Sequence, residues 1–211
     1  MTSLRQLLAA HSPALLLDAS SARIQVGILA PDGPNRWAES AEEAGVGLFR
    51  CVQELGHSPT SVSAYIFCEG PGSILGVRTV AMAIRSWGVV SPKPVFAYGS
   101  LALLAHALGR LSASVIADAR RDSWHRYRIG DGLRRVTSDG LTGELVMPAE
   151  FRHWSPLPAG VTTVPYSVPA LLSQASDAPL FHPTDAPDAF LHEEPSYVTW
   201  TPRIHRAPSE S

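Results

Sequence analysis

Lysine is almost missing from this chain of 211 residues: Lys93 is the only one, and every other basic residue is an arginine. Such one-sided usage reads as the stamp of GC-rich codons rather than of a function. Charge of any kind is scarce, at 17% of residues, against roughly 25% in ordinary globular domains. The 17 basic and 19 acidic residues leave a net charge of -2. A chain so balanced does not grip nucleic acid through its overall field. Cysteine is nearly absent too. Cys51 and Cys68 have neither C-x-x-C spacing nor partners for a metal set, so they read as buried free thiols in a reducing, cytoplasmic setting. No apolar run approaches the roughly 18 residues of a membrane span. The N-terminal stretch resembles a signal peptide only briefly, since Gln6, His11, Pro13 and Asp18 interrupt it. Residues up to Ala10 read instead as a short leading helix. The eight histidines form neither H-x-x-x-H nor H-E-x-x-H, so no metal set has ligand spacing. No G-x-S-x-G elbow offers a hydrolytic nucleophile.

What is present is an internal echo. Ala14-Leu-Leu-Leu-Asp18-Ala19 recurs as Ser114-Val-Ile-Ala-Asp118-Ala119. Each is a hydrophobic strand ending in Asp-Ala, followed by a polar turn and a second strand, Arg23–Leu29 and Ser123–Ile129. In the first of these, Ile24, Val26 and Ile28 alternate onto one face. The repeat points to a duplicated, two-lobed α/β architecture. Between the echoes the pattern predicts a strand over Arg36–Ser40, a helix over Ala41–Gly56 and a strand over Ser61–Cys68. A helix over Ser73–Val90, a strand over Pro94–Ala97 and a helix over Ser100–Gly109 capped by Ser100 follow. The second lobe begins alike and then fills with proline, ten of the 18 lying from Pro156 onward, which disfavours long helices there. The reading divides the chain into a first lobe 1–110, a shortened second lobe 111–201 and a loose tail 202–211.

Two sets of residues could carry function. The first is the turn Gly70-Pro71-Gly72-Ser73 between a strand and a helix, together with Asp18, Ser20 and Asp118. Free N–H groups at a helix start suit an anion, and acids facing each other across a cleft suit a metal-bound nucleotide. However, G-x-G-x-x-G and the P-loop both fail here. A plain capped turn and two Asx-turns explain the same residues. The second set is the helix Ser73–Val90, whose only charges, Arg78 and Arg85, lie seven apart on one face. It is apolar nearly all round, and Val46 and Phe49 stand off the core stripe of the preceding helix (Ala44, Leu48, Cys51, Val52, Leu55). Such helices are either sandwiched in their own domain or meet a partner. In the partner case Val46, Phe49, Val77, Ala81, Met82 and Arg85 make the contact.

In order along the chain, LLLDASSARIQVGIL, GPGSILGVRT, PVFAYGSLALLA, IADARRDSWHRYR and EEPSYVTW resemble the TsaB family, also called YeaZ. The resemblance implies the actin-like, sugar-kinase-like ATPase fold, with two related lobes that each open on a β-hairpin. It also implies a bacterial, cytosolic, non-catalytic scaffold that binds TsaD through its first-lobe helices. That complex makes the N6-threonylcarbamoyl modification of the adenosine next to the tRNA anticodon. An ATPase, TsaE, joins it, tRNA is met only through the complex, and the subunit self-associates when alone. No catalytic residue, metal or cofactor is implied, beyond residual ATP or ADP at Asp18, Ser20, Gly70, Gly72, Ser73 and Asp118. The sequence departs from the family where Ile74-Leu75 replaces Phe-Thr, where Glu42, Glu43 and Ala44 occupy the region of a frequent histidine, and where Thr199-Trp200 replaces the terminal arginine. Two other readings use the same residues: an ATP-binding phosphotransferase or ATPase of this superfold, and a divergent homodimeric paralogue with another partner.

Overall fold

Ser3 opens the structure by capping α1 (Leu4–Ala10): its hydroxyl accepts the Gln6 N–H while Gln6 reaches back to the cap backbone, a reciprocal arrangement that satisfies two orphan donors. The computed structural model describes residues 1–31 and 33–190. The tail 202–211, the second-lobe end at 201 and the terminal EEPSYVTW motif lie outside these residues.

After α1 the chain forms an antiparallel run, β1 (Ala14–Asp18), β2 (Ile24–Leu29) and β3 (Arg36–Ser40). Then come α2 (Ala44–Glu54), β4 (Ala64–Gly70), α3 (Ile74–Val90), β5 (Val95–Gly99) and α4 (Ser100–Leu108). The chain starts again with β6 (Ser114–Asp118), β7 (Ser123–Arg128), β8 (Gly132–Thr137), β9 (Leu145–Pro148), β10 (Thr162–Val164), α5 (Val168–Gln174) and β11 (His182–Pro183). The two sheets run β11-β5-β4-β1-β2-β3 and β10-β9-β6-β7-β8. Apart from β11, which returns to the first sheet beside β5, the two orders are the same. So are the directions: β4 is parallel to β1 and β5, and β9 is parallel to β6 and β10. The echo of Asp18 in Asp118 is thus the start of one β-unit built twice.

The copies differ in their helices. Among the described residues, nothing in the second lobe answers to α2 or α3. A single 3-10 turn, Ser138–Gly140, bridges β8 to β9, and the segment between β9 and β10 is irregular. Pro156 and Pro158 remove helical N–H donors from that stretch.

Strands β1, β2, β4 and β5 of the first sheet divide their side chains between two cores. Leu15, Leu17, Ile24, Val26, Ile28, Tyr65 and Phe67 meet Leu48, Cys51, Val77, Val80 and Ile84 of α2 and α3. Leu16, Leu29, Ile66 and Tyr98 face the other way, toward α1, α4, α5 and the second sheet. The alternation of Ile24, Val26 and Ile28 is therefore real, although every residue of β2 is buried. The face opposite α2 and α3 is covered by α4, which touches β4 and β5 on one side and β6, β7 and β8 on the other.

Several boundaries shift from the expected ones. α2 begins at Ala44 rather than Ala41, and Ala44 is only half-buried. β4 begins after a 3-10 turn, Pro59–Ser61. Ser100 is not the cap of α4: Gly99 holds that place, and the Ser100 hydroxyl donates to the Pro71 carbonyl instead. No helix among the described residues is long and apolar enough to cross a membrane.

Gly76, in the first turn of α3, has no room for a side chain. A Cβ there would run into the Ala19 carbonyl oxygen, whereas one at Gly88, near the other end of α3, would meet nothing within 4 Å. Gly76→Ala is therefore expected to destabilise the chain by about 1–3 kcal/mol through overpacking. Gly88→Ala should instead stabilise it by about 0.5–1 kcal/mol through helix propensity. Urea unfolding of the two variants measures the contrast, and equal midpoints would show that α3 does not press on β1.

Candidate functional site

Asp18 ends β1 with no exposure to solvent. A buried carboxylate persists only where hydrogen bonds replace its water, and here four do so. Oδ1 accepts the Ser20 N–H at 2.8 Å and the Ser20 hydroxyl at 2.7 Å. Oδ2 accepts the hydroxyls of Tyr98 at 2.5 Å and Tyr166 at 2.9 Å. Tyr98 stands on β5, but Tyr166 comes from the second lobe, just before α5. Burial first, and then the charge of Asp18, push both phenols well above their ordinary pKa. They remain protonated and donating.

Further bonds close the same seam. Gln25, buried in β2, donates from Nε2 to the Tyr166 carbonyl at 3.1 Å and accepts the Val168 N–H at 2.8 Å. Glu150 accepts the Tyr166 N–H at 2.8 Å, and its own carbonyl accepts the Ala22 N–H at 3.0 Å. Cys68 lies fully buried nearby, its thiol pushed well up by burial and by Asp18, so it is inert as a nucleophile.

Ser20 ties this cluster to the glycine turn, because its carbonyl accepts the Ser73 N–H at 2.7 Å. The Ser73 hydroxyl accepts the Gly76 N–H and caps α3. The fold thus brings Asp18, Ser20, Gly70, Gly72 and Ser73 together, as a packed knot. Asp118 does not join it. Its carboxylate accepts the N–H groups of Arg120, Trp154 and Ser155, a separate set of partners. Both oxygens of Asp18 are thus engaged by four donors within the fold, and Asp118 is held by donors of its own. No group of three His, Cys, Asp or Glu among the described residues could hold a metal ion. Sequence reasoning missed Tyr98, Tyr166, Gln25 and Glu150. Gln25 was the available signal: a polar side chain within the apolar run Ile24–Leu29 needs a buried partner.

The other candidate set lies on α2 and α3. Val46 is 53% exposed, Phe49 50%, Leu75 76% and Met82 57%. Phe49, Leu75, Thr79, Met82, Ser86 and Trp87 are among the walls of an open groove of about 390 Å³. Along α3 the outward stripe Leu75, Thr79, Met82, Ser86 and Val89, exposed except for the half-buried Thr79, has the alternating four-three spacing of helices that pack side by side. Its two hydroxyls are already engaged, Thr79 donating to the Leu75 carbonyl and Ser86 to the Met82 carbonyl, each at 2.8 Å. The stripe therefore behaves as apolar.

Two expected contact residues are not on this face. Val77 and Ala81 are 1% and 2% exposed, buried within the chain's own fold; at helical spacing they share the inward side of α3 with Val80 and Ile84. Arg85 and Arg78 lie on a flank, 3.6 and 3.8 Å from Asp188. Asp188 belongs to the segment that runs on from β11 and brings the Phe190 N–H to the Glu69 carbonyl at 2.7 Å.

Hydrogen bonds to a charged group contribute about 1.5–3 kcal/mol each. Tyr98→Phe and Tyr166→Phe are each expected to destabilise by that amount, and Asp18→Ala, which orphans buried donors, by more; unfolding midpoints measure all three. Asp118 supplies a pH dependence. Burial opposes its charge, but the N–H groups of Ser155, Trp154 and Arg120 prevail and hold its carboxyl below the ordinary value. A depressed folded-state value stabilises above the unfolded value and is lost as pH falls through the folded one. Asp118→Asn should therefore flatten the loss of stability below about pH 4, and an unchanged acid limb would contradict the assignment.

No protein-family model and no curated protein matches the chain. Solved structures do. YeaZ from Pseudomonas aeruginosa is 21% identical with a TM-score of 0.56, over 77% of this chain and 90% of that one. A second structure, described as an uncharacterized protein from Pseudomonas aeruginosa with similarity to peptidase YEAZ, is 21% identical with a TM-score of 0.57, over 77% and 89%. The two sheets, the repeated strand order and these likenesses agree on the architecture: the chain has the actin-like ATPase fold seen in YeaZ.

Proposed function

We propose that this chain is a TsaB-like, non-catalytic scaffold that docks a TsaD-like protein on the exposed α2–α3 face. In this reading it serves in the cytoplasmic formation of N6-threonylcarbamoyladenosine beside the tRNA anticodon, with a TsaE-like ATPase as a further partner. The observation that carries it is the apolar stripe of Leu75, Met82 and Val89 with Val46 and Phe49, left open on a YeaZ-type fold. Exposed apolar surface of this kind, self-satisfied in its hydroxyls, suits another helical surface better than water. A stable interface would take about 800 Å² from each partner. The engaged oxygens of Asp18 support a scaffold over an ATPase or phosphotransferase, because Mg-nucleotide would have to displace two tyrosines.

A homodimer through the same face is the second reading, favoured by the same stripe. Co-elution and calorimetry with a TsaD-like protein test the first. Association is expected, and Phe49→Glu or Met82→Glu should weaken it at least about thirtyfold, as for a central contact residue. Binding that ignores both variants would refute the docking face. Concentration-independent monomer mass would remove the homodimer. Mg-ATP binding lost in Asp18→Ala would restore the nucleotide reading.

A further inference from the structure

The turn between β6 and β7 is held in an unusual conformation. Three consecutive residues, Arg120, Arg121 and Asp122, have φ of 61°, 52° and 53°. Residues with a Cβ enter this left-handed region singly and at a cost. The run persists because bonds around it hold it. Asp118 accepts the Arg120 N–H. The Ser123 hydroxyl donates to the Arg120 carbonyl at 2.6 Å and accepts from the Arg135 guanidinium at 2.9 Å. The Ala119 N–H donates to the Ser123 carbonyl at 2.9 Å. Strain maintained in this way is concentrated at functional loops.

The turn presents Arg120 and Arg121 beside the loop 152–156. Arg120 lies over the Trp154 ring, 4.3 Å from its centroid, yet the indole remains 60% exposed. Arg120, Arg121, Asp122, Trp154, Ser155 and Pro156 line an open hollow of about 400 Å³. Asp118 ties its two walls together through Arg120 on one side and Trp154 and Ser155 on the other. Arg152 and His153 precede Trp154 and are exposed. Asp122 is exposed beside three exposed arginines, Arg120, Arg121 and Arg152, and the carboxylates of Asp118 and Glu150 are turned onto backbone N–H groups.

We infer that this hollow binds single-stranded RNA, with a base stacked on Trp154 and its phosphate held by Arg120 and Arg121. Guanidinium forks match phosphate oxygens, and an exposed indole stacks any base without reading its sequence. Duplex RNA offers no splayed base to such a platform. The net charge of -2 is compatible with this, because the footprint is a nucleotide or two and depends on local rather than overall charge. The site is on the second lobe, apart from the α2–α3 face, so it stands or falls independently of partner docking.

The test is a fluorescence-anisotropy titration of the full chain against a labelled single-stranded RNA of about ten nucleotides at low salt. Saturable binding is expected, weakened about tenfold by Trp154→Ala. Arg121→Glu should weaken it further and lower the salt dependence by about one phosphate contact. Unchanged unfolding midpoints show that both variants fold. The inference is overturned if the wild-type chain does not bind, or if both variants bind like wild type. It is equally overturned if a base-paired hairpin, a poly-glutamate peptide or AMP alone binds as well as the single strand.

Discussion

The carboxylate of Asp18 sits where the two lobes meet, and the surrounding architecture is organised to keep it there. A charge without water must be met by donors, and those donors come from distant parts of the chain: Ser20 from the adjacent turn, Tyr98 from β5 and Tyr166 from the second lobe. Satisfying one buried group therefore fixes the distance between the sheets. It also fixes the glycine turn, because Ser20 holds Asp18 with its side chain and Ser73 with its carbonyl. Gln25 and Glu150 then fasten the segment around Tyr166 to both lobes.

The same closure engages both acids of the repeat. Acids at strand ends are suited to a nucleotide's metal ion. Here the first of those acids is occupied by Ser20 and two tyrosines, and the second by backbone N–H groups of two loops, Arg120 on one and Trp154 and Ser155 on the other. The helices α2 and α3 expose an apolar stripe, and the second lobe, stripped of their counterparts, exposes an arginine and tryptophan hollow instead.

Much of the fold was readable because its signals are local. The strand ending in Asp-Ala, its recurrence after Asp118, the alternation of β2 and the serine cap at Ser73 each depend on neighbouring residues. Interior elements consequently match to within a few residues, and the misplaced boundaries occur at turns such as Ser40–Glu43 and Pro59–Ser61, where propensity is weak. The outward face of α2 and α3 was legible only as surplus apolarity. Composition could not tell Met82, which is exposed, from Val77 and Ala81, which are buried, since all are apolar and only the position of the sheet separates them.

The scarcity of charge, the repeat at Asp18 and Asp118, the glycine turn and the proline-filled second half were determined by sequence alone. They set the architecture, because periodicity and backbone restrictions act within a few residues. The tertiary structure decided how the acids are used. Whether a carboxylate faces a cleft or a pair of phenols depends on residues 80 and 148 positions away, and no local pattern contains that distance. It likewise decided that Arg120 would stack on Trp154, because only the folded second lobe brings those two loops within reach.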